Sequence, residues 1–256
     1  MIYQRINSKL IKLIIALPII FILLWGIELL ILLIWSLFFD KSKIIKKPNK
    51  FYLWLVYQVN FQVVLFSGTR IKLINKRLLP KHTRYLLIYN HLSNFDPMVI
   101  MKLFYKDDIV CVSKKSNLNI PIAGPFIHKA GFIAFDRDDV KQSADAGMRA
   151  MSFLQNNYCS IAIAPEGTRN QNIDEKLLLP FHEGAISIAY HTKTPIVVTV
   201  LTNTHKIRKN FPFKLTKVKY KIIGTLYYED YKKKTISELT EFLYNQMYQE
   251  LIKLMK

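Results

Sequence analysis

His91 stands five residues before Asp96 in the stretch Asn90-His91-Leu92-Ser93-Asn94-Phe95-Asp96-Pro97. A histidine held by a carboxylate is the minimal general base. The imidazole takes a proton from an attacking hydroxyl, while the carboxylate fixes the tautomer and stabilises the imidazolium that forms. Two arginines follow, in Gly131-Phe132-Ile133-Ala134-Phe135-Asp136-Arg137 and in Pro165-Glu166-Gly167-Thr168-Arg169. A phosphomonoester is doubly anionic near neutral pH and presents forked oxygens, and a guanidinium answers both features. Each feature also has a plainer reading. Asp96 before Pro97 suits a helix start, His91 suits a surface loop, Arg137 could pair with Asp136, Asp138 or Asp139, and Pro165 to Gly167 suits a turn.

The surrounding elements must position these groups. A five-residue spacing turns ~500° on a helix, which would point His91 and Asp96 about 140° apart. The two meet more easily if His91 lies in the loop leaving a strand and Asp96 opens the next helix, with Pro97 at its first position. After about residue 70 the chain alternates short apolar runs with amphipathic stretches. Strands are predicted at 85–89, 109–112, 132–135, 160–164, 196–201 and 217–223, and helices at 97–105, 139–156, 184–191 and 236–255. This alternation predicts an α/β fold, a mixed sheet flanked by helices. Both arginines then sit at strand exits, where sites of such folds collect. No GxGxxG, Walker-type loop or GxSxG occurs, which removes the main support for nucleotide-binding and hydrolase readings.

Taken in order, the three blocks resemble the glycerolipid acyltransferase family, most closely the bacterial 1-acyl-glycerol-3-phosphate acyltransferases with their HxxxxD motif. The resemblance covers Arg84 to Val200. It implies that His91 deprotonates the acceptor hydroxyl, that Asp96 orients it, and that Arg137 and Arg169 bind the glycerol phosphate. It further implies that Glu166 and Gly167 shape that pocket and that Thr168 supports it. Lys114, in Val112-Ser113-Lys114-Lys115-Ser116, matches a basic position between the family's blocks and could contact the phosphate. Asn90 and Ser93 match the pattern as supporting hydrogen bonders, and Gly131 and Pro195 belong to the matching blocks. Ile120-Pro121-Ile122-Ala123-Gly124 resembles an apolar turn of the family. The chain departs from pattern at His182, where lysine is usual, at Val198 in place of a second proline, and at Ala164 in place of an aromatic. The implied reaction is transfer of a fatty acyl group from acyl-CoA or acyl-carrier protein to the 2-hydroxyl of lysophosphatidic acid, by direct attack on the thioester. It calls for no metal and no organic cofactor.

Composition agrees with a membrane-surface enzyme. The formal net charge is +19, yet mean hydropathy is +0.13. Basicity combined with apolarity favours anionic lipid over nucleic acid. Leu13 to Phe39 is almost wholly apolar, broken by Pro18, Gly26, Glu28 and Ser36. It exceeds the ~20 residues needed to cross a bilayer and the core of a signal peptide. A spanning helix must keep Glu28 protonated or paired; a bend near Pro18 or Gly26 would instead seat the segment in the interface. Phe51 to Phe66, with Gln58, Asn60 and Gln62, reads as an interfacial helix. The expected division is residues 1–70 as membrane-anchoring helices and 71–256 as the catalytic domain. The heavier basic flank, Lys41, Lys43, Lys46, Lys47 and Lys50, places that domain on the cytoplasmic side, as at a bacterial inner membrane. Cys111 and Cys159 read as reduced core residues without metal-site spacing.

Three other functions stay open at this level. An acyltransferase could use another acceptor, such as glycerol-3-phosphate, another lysophospholipid or a lyso-aminolipid; competing acceptors in one assay would separate these. A non-catalytic basic membrane-surface protein would bind vesicles and be indifferent to His91→Ala. A thioester hydrolase would release free fatty acid without an acceptor, which the phosphate-type arginines argue against.

Overall fold

The computed structural model describes residues 2–136 and 139–255. Its helices are α1 (Ile2–Ser36), α2 (Lys50–Phe66), α3 (Phe95–Leu103), α4 (Ala123–Ala130), α5 (Val140–Gln155), α6 (Glu183–Thr192), α7 (Ile207–Asn210), α8 (Tyr228–Tyr231) and α9 (Ile236–Met255). Its strands are β1 (Thr69–Ile74), β2 (Leu86–Ile88), β3 (Ile109–Lys114), β4 (Ile133–Phe135), β5 (Ser160–Ile163), β6 (Ile196–Leu201) and β7 (Thr216–Leu226). They form one mixed sheet in the order β1-β7-β6-β2-β5-β3-β4. Strands β6, β2, β5, β3 and β4 are mutually parallel. The β7 strand is antiparallel to β6 and parallel to β1.

Connectivity explains the layering. From β2 to β3 and from β3 to β4 the chain steps toward the β4 edge, through α3 and α4. From β4 to β5 and from β5 to β6 it steps back, through α5 and α6. Crossovers between parallel strands are right-handed, so the two directions deposit helices on opposite faces. Accordingly α2 packs with α3 and α4, whereas α5 packs with α6 and α6 with α9. Covered on both faces, the central strands are continuous apolar runs: every residue of β2 and β6 is buried. The outer β7 alternates instead, with Val218, Tyr220 and Ile222 buried and Lys217 and Lys219 exposed.

The mixed sheet flanked by helices agrees with the fold expected from sequence. Predicted β6 bounds coincide with those observed. The α3 helix begins at Phe95 rather than Pro97. The resembled turn at Ile120–Gly124 leads directly into α4, which was not predicted, and neither was β1. The β1 signal is the short alternation of Arg70 and Lys72 with Ile71 and Leu73, overshadowed by the long apolar run before it. Cys111 and Cys159 are free and buried, and burial pushes both thiols up to about 12.

The α1 helix runs through Pro18 and Gly26 without interruption. Its segment Ala16–Ser36 is long and apolar enough to cross a membrane, with mean hydropathy 2.8. One stripe of α1 faces α2 in antiparallel sense. Trp25 meets Phe66 (5.6 Å between ring centroids) and Trp35 meets Tyr52 (6.0 Å). Between them Gln62 donates to both oxygens of Glu28 at 3.3 and 3.2 Å. Glu28 is therefore paired, as a carboxylate inside an apolar helix requires. The inner face of α2 buries Leu53, Val56, Tyr57 and Val64, each worth about 1.5–3 kcal/mol. Asn60 on that face donates to the Met98 carbonyl at 2.7 Å, which offsets its desolvation. The outer faces of both helices carry exposed Ile22, Leu23, Ile27, Ile31, Trp54 and Phe61.

Candidate active site

Strands β2 and β5 are parallel neighbours, yet the helices that follow them leave to opposite faces of the sheet. Such a switch point opens a crevice at the carboxyl ends of the strands. The β2 exit carries Asn90 and His91, and the β5 exit carries Pro165 to Arg169.

At the first exit, His91 Nδ1 lies 2.7 Å from Asp96 Oδ2. The carboxylate is fully buried and the histidine side chain is 14% exposed. Asp96 Oδ2 also accepts the Leu92 and Ser93 backbone N–H groups at 2.6 and 2.8 Å. Its Oδ1 accepts the Thr204 hydroxyl. An oxygen already held by two N–H donors accepts from the ring, so Nδ1 carries the proton and Nε2 faces outward with its lone pair. Asp96 is the second residue of α3. Its carboxylate turns back to the loop that carries His91 instead of capping its own helix. Ser93 helps to shape that loop, its hydroxyl accepting the Phe95 N–H at 3.1 Å.

The two exits are bonded to each other. The His91 backbone N–H donates to Glu166 Oε1 at 2.6 Å. The His91 carbonyl accepts the Asn170 N–H at 2.7 Å. Glu166 Oε2 accepts the Leu179 N–H at 2.9 Å, so both carboxylate oxygens of this buried residue brace backbone. Asn90 performs the equivalent task toward β6. Its side chain donates to the Leu201 carbonyl at 3.0 Å and accepts the Leu201 N–H at 2.8 Å. The Pro165–Arg169 turn requires Gly167, whose φ is +68° and where a Cβ would lie 2.8 Å from His182 Cδ2. His182 thus packs on the turn, and its N–H donates to the Pro165 carbonyl at 2.9 Å.

Thr168 and Arg169 are exposed beyond that turn, and Lys114 is exposed where β3 ends on the same edge of the sheet. Arg137 lies outside the described residues; β4 ends at Phe135, two residues before it. Gly131, with φ of +94°, closes α4 where a Cβ would lie 2.8 Å from Pro48 Cα. It precedes β4, at the edge of the parallel strands opposite His91, so the structure does not bring it to this cluster; it packs on Pro48 of the α1–α2 linker. The structure does not bring Pro195 to this cluster. Pro195 precedes β6, and its carbonyl accepts the Leu86 N–H at 2.9 Å. Five residues of extended chain, roughly 16 Å, separate that end of β2 from His91. Two contributors carried no recognisable sequence signal. Thr204 lies 108 residues from Asp96, and Asn170 looks like an ordinary loop residue.

Burial raises the Glu166 carboxyl from 4.5 to about 7, while its two backbone donors pull the other way. A carboxyl raised on folding contributes stability that is fully present below its unfolded value. That contribution is lost as pH rises through the folded value. Wild type should therefore hold its largest stability advantage over Glu166→Gln below pH 4.5. The advantage should shrink by an amount of order 3 kcal/mol as pH rises from 4.5 through 7. Thermal melts of the pair from about pH 4 to 8 check this, and a difference that stays flat or widens contradicts it.

Comparison with known proteins gives a consistent picture. A family model described as Acyltransferase matches residues 70–202. A Saccharomyces cerevisiae protein named 1-acyl-sn-glycerol-3-phosphate acyltransferase is 28% identical over 197 residues, which are 76% of this chain and 64% of that protein. A Haemophilus influenzae protein of the same name is 30% identical over 173 residues, which are 67% of this chain and 70% of that protein. A third so named, from Borreliella burgdorferi, is 30% identical, and the chain spans only 54% of its length. Among solved structures, the 1-acyl-sn-glycerophosphate (LPA) acyltransferase PlsC from Thermotoga maritima superposes with a TM-score of 0.63 at 19% identity. That match covers 79% of each chain and supports the fold.

Proposed function

This chain belongs to the acyltransferase family, and we propose that it acylates the 2-hydroxyl of 1-acyl-sn-glycerol-3-phosphate to give phosphatidic acid. The donor is a thioester, acyl-CoA or acyl-carrier protein. His91 Nε2 takes the hydroxyl proton as the oxygen attacks the thioester carbonyl. The tetrahedral oxyanion collapses, the carbon–sulfur bond breaks, and the imidazolium returns its proton to the departing thiolate. Asp96 holds the ring and stabilises its positive form. Arg137 and Arg169 clamp the acceptor phosphate, with Lys114 and Thr168 beside them. Glu166 and Gly167 act by holding the turn that presents Arg169, and Asn90 and Ser93 act by holding the loops.

The observation that carries this reading is the bonded pair of strand exits. A histidine with its Nδ1 held at 2.7 Å by a buried carboxylate is tied through its own backbone to the turn that presents Arg169. That linkage supports assigning hydroxyl activation to His91 and phosphate binding to the turn that carries Arg169. Residues 1–70 seat the chain on the membrane through the exposed apolar faces of α1 and α2, and residues 71–256 carry the chemistry on the cytoplasmic side.

The test is transfer of labelled acyl group from each donor to lysophosphatidic acid, with glycerol-3-phosphate and other lysophospholipids competing. Lysophosphatidic acid should be the preferred acceptor. Arg169→Ala should raise KM for it about 10-fold or more, as loss of a charge-assisted phosphate contact implies. Transfer only to another acceptor would reject the proposed substrate, and an unchanged KM would reject the role of Arg169.

A further inference from the structure

We propose that the connection between β6 and β7 is a second lipid-contacting element, which inserts Phe211, Phe213 and Leu215 into an anionic phospholipid bilayer. The three side chains are 54%, 98% and 52% exposed. Water-facing aromatic and aliphatic groups in one short loop are uncommon without a partner.

The exposure is built in. Ile207 at the loop's base is fully buried. The Phe211 N–H donates to the Ile207 carbonyl at 3.0 Å, and the Lys214 N–H donates to the Asn210 carbonyl at 2.7 Å. Asn210 turns inward, its amide donating to the Thr216 hydroxyl at 2.9 Å. The backbone is thereby closed on itself, and the apolar side chains point away from the core.

Charge and position identify the occupant. From Thr204 to Lys217 the chain has no acidic residue, while Lys206, Arg208, Lys209, Lys214 and Lys217 flank the apolar ones. Aromatic groups bracketed by cations suit the boundary between anionic headgroups and acyl chains. The loop also continues the apolar surface of the amino-terminal helices. Leu215 Cδ2 lies 3.3 Å from where a Cβ on Gly68 would stand, and the Thr216 N–H donates to the Gly68 carbonyl at 3.1 Å. Just before Gly68, α2 ends in exposed Leu65 and Phe66, and the Phe66 ring meets Phe21 and Trp25 of α1. Because β6 runs parallel to β2, the loop leaves the same edge of the sheet as His91. Its first residues include Thr204, the hydroxyl donor to Asp96. Insertion would hold the His91 edge against the surface from which a lysolipid enters, a consequence that rests on the function proposed above.

A fluorescent probe on the full-length chain tests this without using acyl transfer, so its failure leaves the enzymatic reading untouched. Both native cysteines are buried, and Phe213→Cys therefore offers one accessible thiol for an environment-sensitive dye. Position 229 serves as the control, because it follows β7 at the opposite edge of the sheet and the Glu229 side chain is 72% exposed. On phosphatidylcholine vesicles containing phosphatidylglycerol, the dye at 213 should shift to the blue and be quenched by lipid-borne quenchers. The dye on Glu229→Cys should remain water-like. Adding Lys209→Glu and Lys214→Glu should diminish the shift. A water-like signal at 213 on vesicles that retain the protein would overturn the proposal, as would equal shifts at both positions. A shift indifferent to the two charge reversals would overturn the choice of anionic lipid.

Discussion

His91→Ala is expected to lower acyl transfer about 10²- to 10⁴-fold while leaving the protein folded. The ring's side-chain partners are Asp96 at 2.7 Å and the edge of Tyr89, 6.0 Å between centroids. When the ring is removed, Asp96 keeps the Leu92 and Ser93 N–H groups and the Thr204 hydroxyl. No buried charge is stranded, and the stability cost should be near that of a single lost hydrogen bond, about 1 kcal/mol. The bonds that fix the loop are made by the His91 backbone, to Glu166 and Asn170, and alanine retains them. Activity and folding therefore separate in this variant. Initial rates with labelled acyl donor and lysophosphatidic acid, beside a thermal melt, check both halves. A variant within ten-fold of wild type would remove His91 from the role of base.

The second large effect is expected from Asp96→Asn, and here activity and stability fall together. The isosteric amide offers one acceptor oxygen and one donor nitrogen. Three donors converge on Asp96 Oδ2, so the amide oxygen must take that side. The amide nitrogen then faces Thr204, whose hydroxyl can rotate to accept. The geometry survives, but the charge that strengthens each of these buried bonds is gone. A loss of about 2–4 kcal/mol in stability follows. Transfer should drop about 10²- to 10⁴-fold, because the imidazolium loses its counter-charge. The double variant with His91→Ala should be scarcely slower than His91→Ala alone, as the proposed action of Asp96 through the ring requires. Full additivity of the two losses would show that Asp96 contributes by another route.

Much of this architecture is readable from local pattern. The run Ile196–Leu201 is apolar throughout because both faces of an interior parallel strand are covered, and its bounds agree with the prediction. The α9 helix, Ile236–Met255, likewise follows its 3.6-residue periodicity. The start of α3 was displaced because the rule for proline at the first helical turn weighs only local preference. In the folded chain Asp96 is drawn back to the Leu92 and Ser93 amides, and the helix begins at Phe95. Edge strand β1 escapes local pattern because its alternation is brief. Pro195 belongs to a matching block of sequence but stands at the far end of β2. Proximity in a block says nothing about which edge of a parallel sheet a residue occupies.

Residue types and spacing by themselves determined the alternating α/β plan, the paired histidine and carboxylate, the arginine-bearing turn, and the long apolar helix before them. Those are short-range properties, fixed by periodicity, turn chemistry and the acid–base character of a few side chains. Tertiary structure alone decided that the β2 and β5 exits meet, and that Glu166 and Asn170 grip the His91 backbone from both sides. It also decided that Thr204 reaches Asp96 across 108 residues and that Phe213 faces outward on the same edge as His91. The reason is physical: parallel neighbours are joined by distant crossovers. Which strand exits share an edge and a crevice depends on sheet order and handedness, and no local window of sequence contains either.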